Sequence, residues 1–190
     1  HELLWLINNQ KSMKFLKLLL LLALCSSISA TTNWPQFRGS DSRGIGQGEN
    51  LPDTWSSTEN VAWATDLPGR GWSSPIVWGD RVFLTTVVNS GISEEPPKGL
   101  YFGGNRPEAP GTVHNWIVYC LDLNSGKINW QHTVKKAKPE TGIHIKSSYA
   151  SETPVTDGEH VYFYFGNVGL FVYDMKGKHK CTKNIESRFT

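Results

Sequence analysis

The feature that most constrains this chain is a phrase it uses twice. "CLDLNSGKINW" runs from Cys120 to Trp130, and "VYDMKGKHKC" runs from Val172 to Cys181. Each copy places an Asp at the end of an apolar run, follows it with a turn ending in Gly-Lys, and continues for two residues. The first copy then reaches a Trp and the second a Cys. A second pair of phrases precedes them in step: "SSPIVWGDRVFL" (Ser73–Leu84) matches "ETPVTDGEHVYF" (Glu152–Phe163). Both read small residue, Pro and aliphatic, then a Gly-acidic turn, one basic residue, and Val-aromatic. Pro75 to Trp130 spans 55 residues and Pro154 to Cys181 spans 27. The excess of 28 residues falls at 88–115, a stretch dense in Gly, Pro and charge. Such a stretch predicts a loop insertion in an otherwise matching unit.

Within each unit the apolar runs are short and separated by turn residues, which is a strand pattern. "SPIVWGDRVFLTTVV" reads as two strands around a Gly-Asp turn, and "NWIVYCLDL" with "KINWQHTV" as two around Asn-Ser-Gly. "TPVTDGEHVYFYFGNVGLFVYDM" holds three more strands, and "NVAWATDL" alternates loosely. Aromatic residues make up 12% of the chain, with eight Trp and 18 Gly, a mixture suited to strands and tight turns. Beyond residue 30 no stretch has the period of an amphipathic helix. A repeated four-strand unit cannot bury both faces alone and needs a neighbour on each side. The predicted fold is therefore all-β: a β-propeller with four-stranded antiparallel blades, of which about two are present. The first blade carries the insertion 88–115 and the second covers 147–182. Because a propeller needs at least about four blades, the sequence reads as an N-terminal piece of a longer protein, with repeats over 61–190.

The N-terminal residues have a different character. Met13–Lys17 is short and basic, Leu18–Leu24 is nearly pure apolar, and "CSSISA" supplies small residues. That order predicts a secretory signal peptide over 13–30, cleaved near Ala30. The apolar run is shorter than the roughly 20 residues a bilayer span needs. Residues 1–12 precede Met13 and read as upstream sequence translated in frame. The Gly-, Ser- and Asp-rich residues 31–60 read as an extended lead-in. The expected location is the periplasm or the outside of the cell, with no stable membrane span after cleavage. Residues 1–30 hold three Lys and one Glu, so the +2 net charge of the whole chain becomes 16 basic against 16 acidic residues beyond them. That balance gives no electrostatic footprint for nucleic acid. Of the remaining cysteines, Cys120 and Cys181, sequence leaves open whether they pair or stay as separate thiols.

Candidate chemistry is sparse. Ser73 in "GWSSP" is not in a Gly-x-Ser-x-Gly elbow, and its counterpart in the second unit is Glu152. His114, His132, His144, His160 and His179 never fall at paired ligand spacing. Of these, His114 and His144 border loops that can face a channel. Gly44-x-Gly46-x-Gly48 has no strand before it and no helix after it, and Gly177-Lys178 lacks a phosphate-cradling loop. In the insertion, "GLYFGGNRP" sets Tyr101, Phe102, Asn105 and Arg106 among glycines, an aromatic-plus-Arg pattern suited to recognition.

"CLDLNSGKINW" resembles the repeat motif of the pyrroloquinoline-quinone (PQQ) type propellers, small-x-Asp-x-x-(Thr/Ser)-Gly-Lys-x-x-Trp. "NWPQFRG", "LPDTWSSTENVAW", "LPGRGWSSPIVWGDRVFLTT" and "GLYFGGNRP" are similar to phrases of exported PQQ-binding-like propeller proteins, and the likeness extends over residues 33–182. The resemblance implies structural roles for the motif: Asp122, Gly126 and Trp130 in the first unit, Asp174 and Gly177 in the second. In that family the Trp docks adjacent blades. By the same likeness Trp63 would end an orphan outer strand and pack against a blade absent from this chain. The implied function is a non-catalytic binding or assembly scaffold that holds a protein, peptide or glycan through its loops, with no cofactor. The alternative is a quinoprotein oxidoreductase. That enzyme would need PQQ, calcium held by carboxylates and amides, and a stacking Trp, mostly outside these residues.

Overall fold

A computed structural model describes residues 33–46, 48, 51–91, 108–144, 146–166 and 168–185. The expected signal peptide over 13–30, the segment before it, and the loop residues Tyr101, Phe102, Asn105 and Arg106 lie outside the described residues.

The described chain is all-β, with no helix among the described residues. Eight strands form two antiparallel sheets of four. The first sheet is β1 (Ile76–Trp78), β2 (Arg81–Asn89), β3 (His114–Asp122) and β4 (Ile128–Ala137), paired in that order. The second is β5 (Val155–Thr156), β6 (His160–Phe165), β7 (Gly169–Asp174) and β8 (His179–Lys183), also in sequential order. The repeated phrases occupy matching positions. Ile76 pairs with Phe83 as Val155 pairs with Tyr162, and Val77 pairs with Val82 as Thr156 pairs with Val161. Cys120 faces Trp130 as Val172 faces Cys181. Both ladders break their register at the same place, between Cys120 and Leu121 and between Val172 and Tyr173, which leaves Asn129 and Lys180 as extra residues. A bulge of this kind bends the strand and re-aims the next side chain, here Trp130 or Cys181.

Strand alternation sends each sheet's side chains to two faces. One face of the first sheet (Ile76, Phe83, Trp116, Val118, Cys120) packs against one face of the second (Val161, Phe163, Phe165, Phe171, Tyr173), forming the main core. Phe83 meets Phe163 edge-on with ring centroids 6.5 Å apart. The opposite face of the first sheet buries Val82, Tyr119 and Leu121 under Trp63 and Leu67 from the preceding segment. The opposite face of the second sheet carries Val155, 40% exposed, and Cys181, also exposed.

Two sequence expectations change here. The ladder between β2 and β3 continues to Val88↔Asn115 and Asn89↔His114, so both ends of the 88–115 stretch are strand. "NVAWATDL" forms no strand. Among the described residues no strand pairs with it to take its backbone hydrogen bonds, and the Trp63 and Thr65 side chains anchor it instead.

Candidate functional site

The doubled phrase builds a lock between one sheet and the next. In the first copy the Asp122 carboxylate accepts hydrogen bonds from the backbone N–H of Asn124 (3.1 Å) and Ser125 (2.8 Å) and from the Ser125 hydroxyl (2.7 Å). Those bonds, the Ser125 hydroxyl first, hold its carboxyl below the usual Asp range. In the second copy the turn is one residue shorter. The Asp174 carboxylate accepts from the N–H groups of Lys178 (2.9 Å) and Lys176 (3.0 Å) and pairs with the Lys180 ammonium at 2.9 Å. Led by the Lys178 N–H, these lower its pKa to about 2. Each Asp closes its turn so that the following Gly presents bare backbone.

Trp130 covers that backbone. A Cβ added to Gly177 would lie 2.7 Å from Trp130 Cγ, and Gly177 has φ +83°, a left-handed conformation that favours glycine. The Trp130 indole N–H donates to the Met175 carbonyl at 3.3 Å. Its ring stacks on Tyr173 (5.8 Å) and tilts against Phe83 (5.9 Å). His132, one turn of the pleat further along β4, has its Nε2 2.8 Å from the Gly177 carbonyl and lies flat on Tyr173 at 4.8 Å.

Trp63 makes the same lock one sheet earlier. Its indole N–H donates to the Leu123 carbonyl at 2.8 Å, and a Cβ on Gly126 would fall 2.3 Å from its ring. Thr65 adds a hydrogen bond to the Gly126 carbonyl at 2.7 Å. Trp63 therefore packs on a turn this chain itself contains, which corrects the expectation of an absent partner. The Asp122 turn needs a cover, and the segment before β1 is the one that supplies it. Cys181 occupies the position equivalent to Trp130 on the exposed face of the second sheet. Cys120 and Cys181 are both free thiols, and burial pushes the Cys120 thiol up to about 11.

A cavity of about 100 Å³ lies where β2 ends and β3 begins. It is lined by Gly69, Arg70, Val87, Asn89, His114, Ile143 and the run Ser147–Tyr149. His114 is buried, its Nδ1 3.0 Å from the Thr112 carbonyl, so that nitrogen carries the proton. Tyr149 is fixed from both ends: its hydroxyl donates to Thr141 O at 2.6 Å, and its carbonyl accepts the Trp116 indole N–H at 3.2 Å. Burial raises the Tyr149 phenol above its ordinary pKa. The structure thus brings His114 to a cavity, while His160 and His179 sit on strands away from it and His132 belongs to the lock. Arg70, Ser148 and Tyr149 have no motif to mark them. The one local signal is Gly69-Arg70-Gly71, a cation between two glycines. Ser73 accepts a hydrogen bond from the Thr85 hydroxyl at 3.0 Å, as expected of a residue leading into a strand.

Among the described residues, no three His, Cys, Asp or Glu side chains converge on a point that could hold a metal ion. They do not form the carboxylate cage that a calcium-bound quinone would require. Protein-family models give no match to this chain, and neither do the curated proteins.

Proposed function

We propose that the two sheets are neighbouring blades of an exported PQQ-like β-propeller that works as a non-catalytic binding or assembly scaffold, engaging a protein, peptide or glycan through its loops. One observation carries this reading. Both sheets share one register and one bulge, and each Asp-to-Gly closing turn is covered by a Trp from the segment before it. A contact rule that repeats from unit to unit is what a radial array of blades requires. Trp63 on Gly126 and Trp130 on Gly177 are two uses of it.

Two experiments test the reading. The protein expressed from its complete gene, given PQQ, calcium and a redox dye, is assayed with alcohols and aldoses; the expected result is no PQQ-dependent dye reduction. Sustained turnover would replace the scaffold with a quinoprotein enzyme. Expression in a bacterial host followed by N-terminal mass analysis should find the exported product beginning near Thr31. Intact residues 13–30 on a product retained inside the cell would contradict export.

A further inference from the structure

The cavity between the end of the first sheet and the loop leading to the second holds an arginine that the fold takes unusual care to place. Gly69 and Gly71 both cross β2 at a distance no side chain permits: added Cβ atoms would lie 2.2 Å from the Val87 carbonyl oxygen and 2.3 Å from that of Thr85. Between them Arg70 makes a two-way backbone bridge with Val87, at 2.9 Å and 2.8 Å. Residues directly opposite in an antiparallel pair project to the same face. Val87 belongs to the core between the two sheets, so Arg70 projects on that side and lines the cavity. Its guanidinium forms no ion pair and no hydrogen bond among the described residues, and no carboxylate there lines the cavity.

Asn89 adds a second donor to the wall. The Asn89 side-chain oxygen is taken by the Gly91 N–H at 2.9 Å, which leaves the amide N–H groups for another partner. The buried Ser148 hydroxyl accepts from the Ala150 N–H at 3.2 Å and faces the Ser151 hydroxyl at 3.4 Å, whose own proton goes to the Ser148 carbonyl at 2.8 Å, so the Ser148 proton is already used. A single planar cation beside a neutral amide donor matches a monoanion with two oxygens in one plane, and Val87 and Ile143 offer apolar surface for a short carbon chain.

We infer that this cavity binds the carboxylate of a small organic acid or of a polypeptide, held by Arg70 with Asn89. The inference deepens the scaffold reading by naming the ligand group.

The test is calorimetric titration of the full 190-residue chain with butyrate, its neutral counterpart butyramide, inorganic phosphate, and an acetylated tripeptide with either a free or an amidated C-terminus. Saturable butyrate binding is expected, with butyramide failing to bind. Arg70→Met should weaken butyrate by about tenfold or more, the loss of a charge-assisted pair. Arg70→Lys should fall between, and Lys180→Met should change nothing. Tighter binding of the free-C-terminus peptide than of butyrate assigns the site to polypeptide carboxylates; the reverse assigns it to free acids. Butyrate affinity untouched by Arg70→Met, equal binding of butyramide, or a preference for phosphate would each overturn the inference. If Arg70→Met does not fold, Arg70→Lys decides in its place: weakened butyrate binding supports the site, and unchanged binding overturns it. The scaffold reading fails separately, on quinone-dependent dye reduction, which does not involve Arg70.

Discussion

Trp130→Ala should be the most damaging single truncation on β4. The indole touches three core rings and a glycine turn, and its N–H has a carbonyl partner at 3.3 Å. Removing a buried aromatic side chain costs about 3–5 kcal/mol, and the lost ring–ring contacts contribute about 0.5–1.5 kcal/mol each. Trp130 is only half-buried, so the lower part of that range applies, about 3 kcal/mol. For a unit of this size the loss corresponds to a fall of roughly 6–12 °C in Tm. Urea unfolding of the full chain, followed by far-ultraviolet circular dichroism, reads the difference directly. Trp130→Phe should recover about half of it, because a phenyl ring restores stacking and leaves the Met175 carbonyl without its donor. Trp55→Ala is the control: Trp55 is 71% exposed, and its removal should cost less than about 0.5 kcal/mol. A Trp130→Ala loss under about 1 kcal/mol, or one no greater than that of Trp55→Ala, would show that the indole does not hold the sheets together.

The remaining predictions concern the turns and the thiols. Gly126→Ala should destabilise through the clash with Trp63, while Gly46→Ala, with nothing within 4 Å of its added Cβ, should be neutral in the same melt. Asp174 and Asp157 are both depressed to about 2, chiefly by backbone N–H groups of Lys178 and His160. The stabilisation they give is therefore complete above about pH 4 and is lost as pH falls through about 2. An Asp174→Asn variant should lose less stability than the parent across that window in pH-dependent urea melts; an identical acid slope would contradict this. Cys120, raised to about 11 by burial, should resist alkylation at pH 8 until the chain is unfolded, whereas Cys181 reacts in the folded state, as peptide mapping would show. Cys181→Trp should shift Tm of this chain by little, since no described turn faces that position; a gain of several degrees would mean that something covers it.

Much of the fold is legible because the same phrases recur with offsets that a ladder must respect. Asp-turn-Gly-Lys marks where β3 and β7 end, and the Pro-aliphatic phrases mark β1 and β5. The insertion is recognisable by composition, but its edges are not. Asn89 and His114 look like loop residues in sequence and are strand because the partner strand continues beside them. The partner of Trp63 is hidden because its role depends on which turn lies under it, and sequence order does not reveal contacts between residues 63 and 126. The cavity is hidden for a similar reason. Arg70, Asn89, His114 and Ser148 come from four separate segments, and only Gly69 and Gly71, forced by the close crossing over β2, leave a local trace of it.

The central claim is that Trp130, lying on the turn glycine Gly177, is the joint between the two sheets. A double-mutant cycle between Trp130→Ala and Gly177→Ala tests it most directly. In the parent, Gly177→Ala both strains a left-handed residue and drives a methyl group into the indole; with Trp130 removed, only the backbone strain remains. Gly177→Ala should cost at least about 1 kcal/mol more in the parent than in the Trp130→Ala background. Costs that agree within about 0.5 kcal/mol would mean that the two residues act independently, and the joint would not exist.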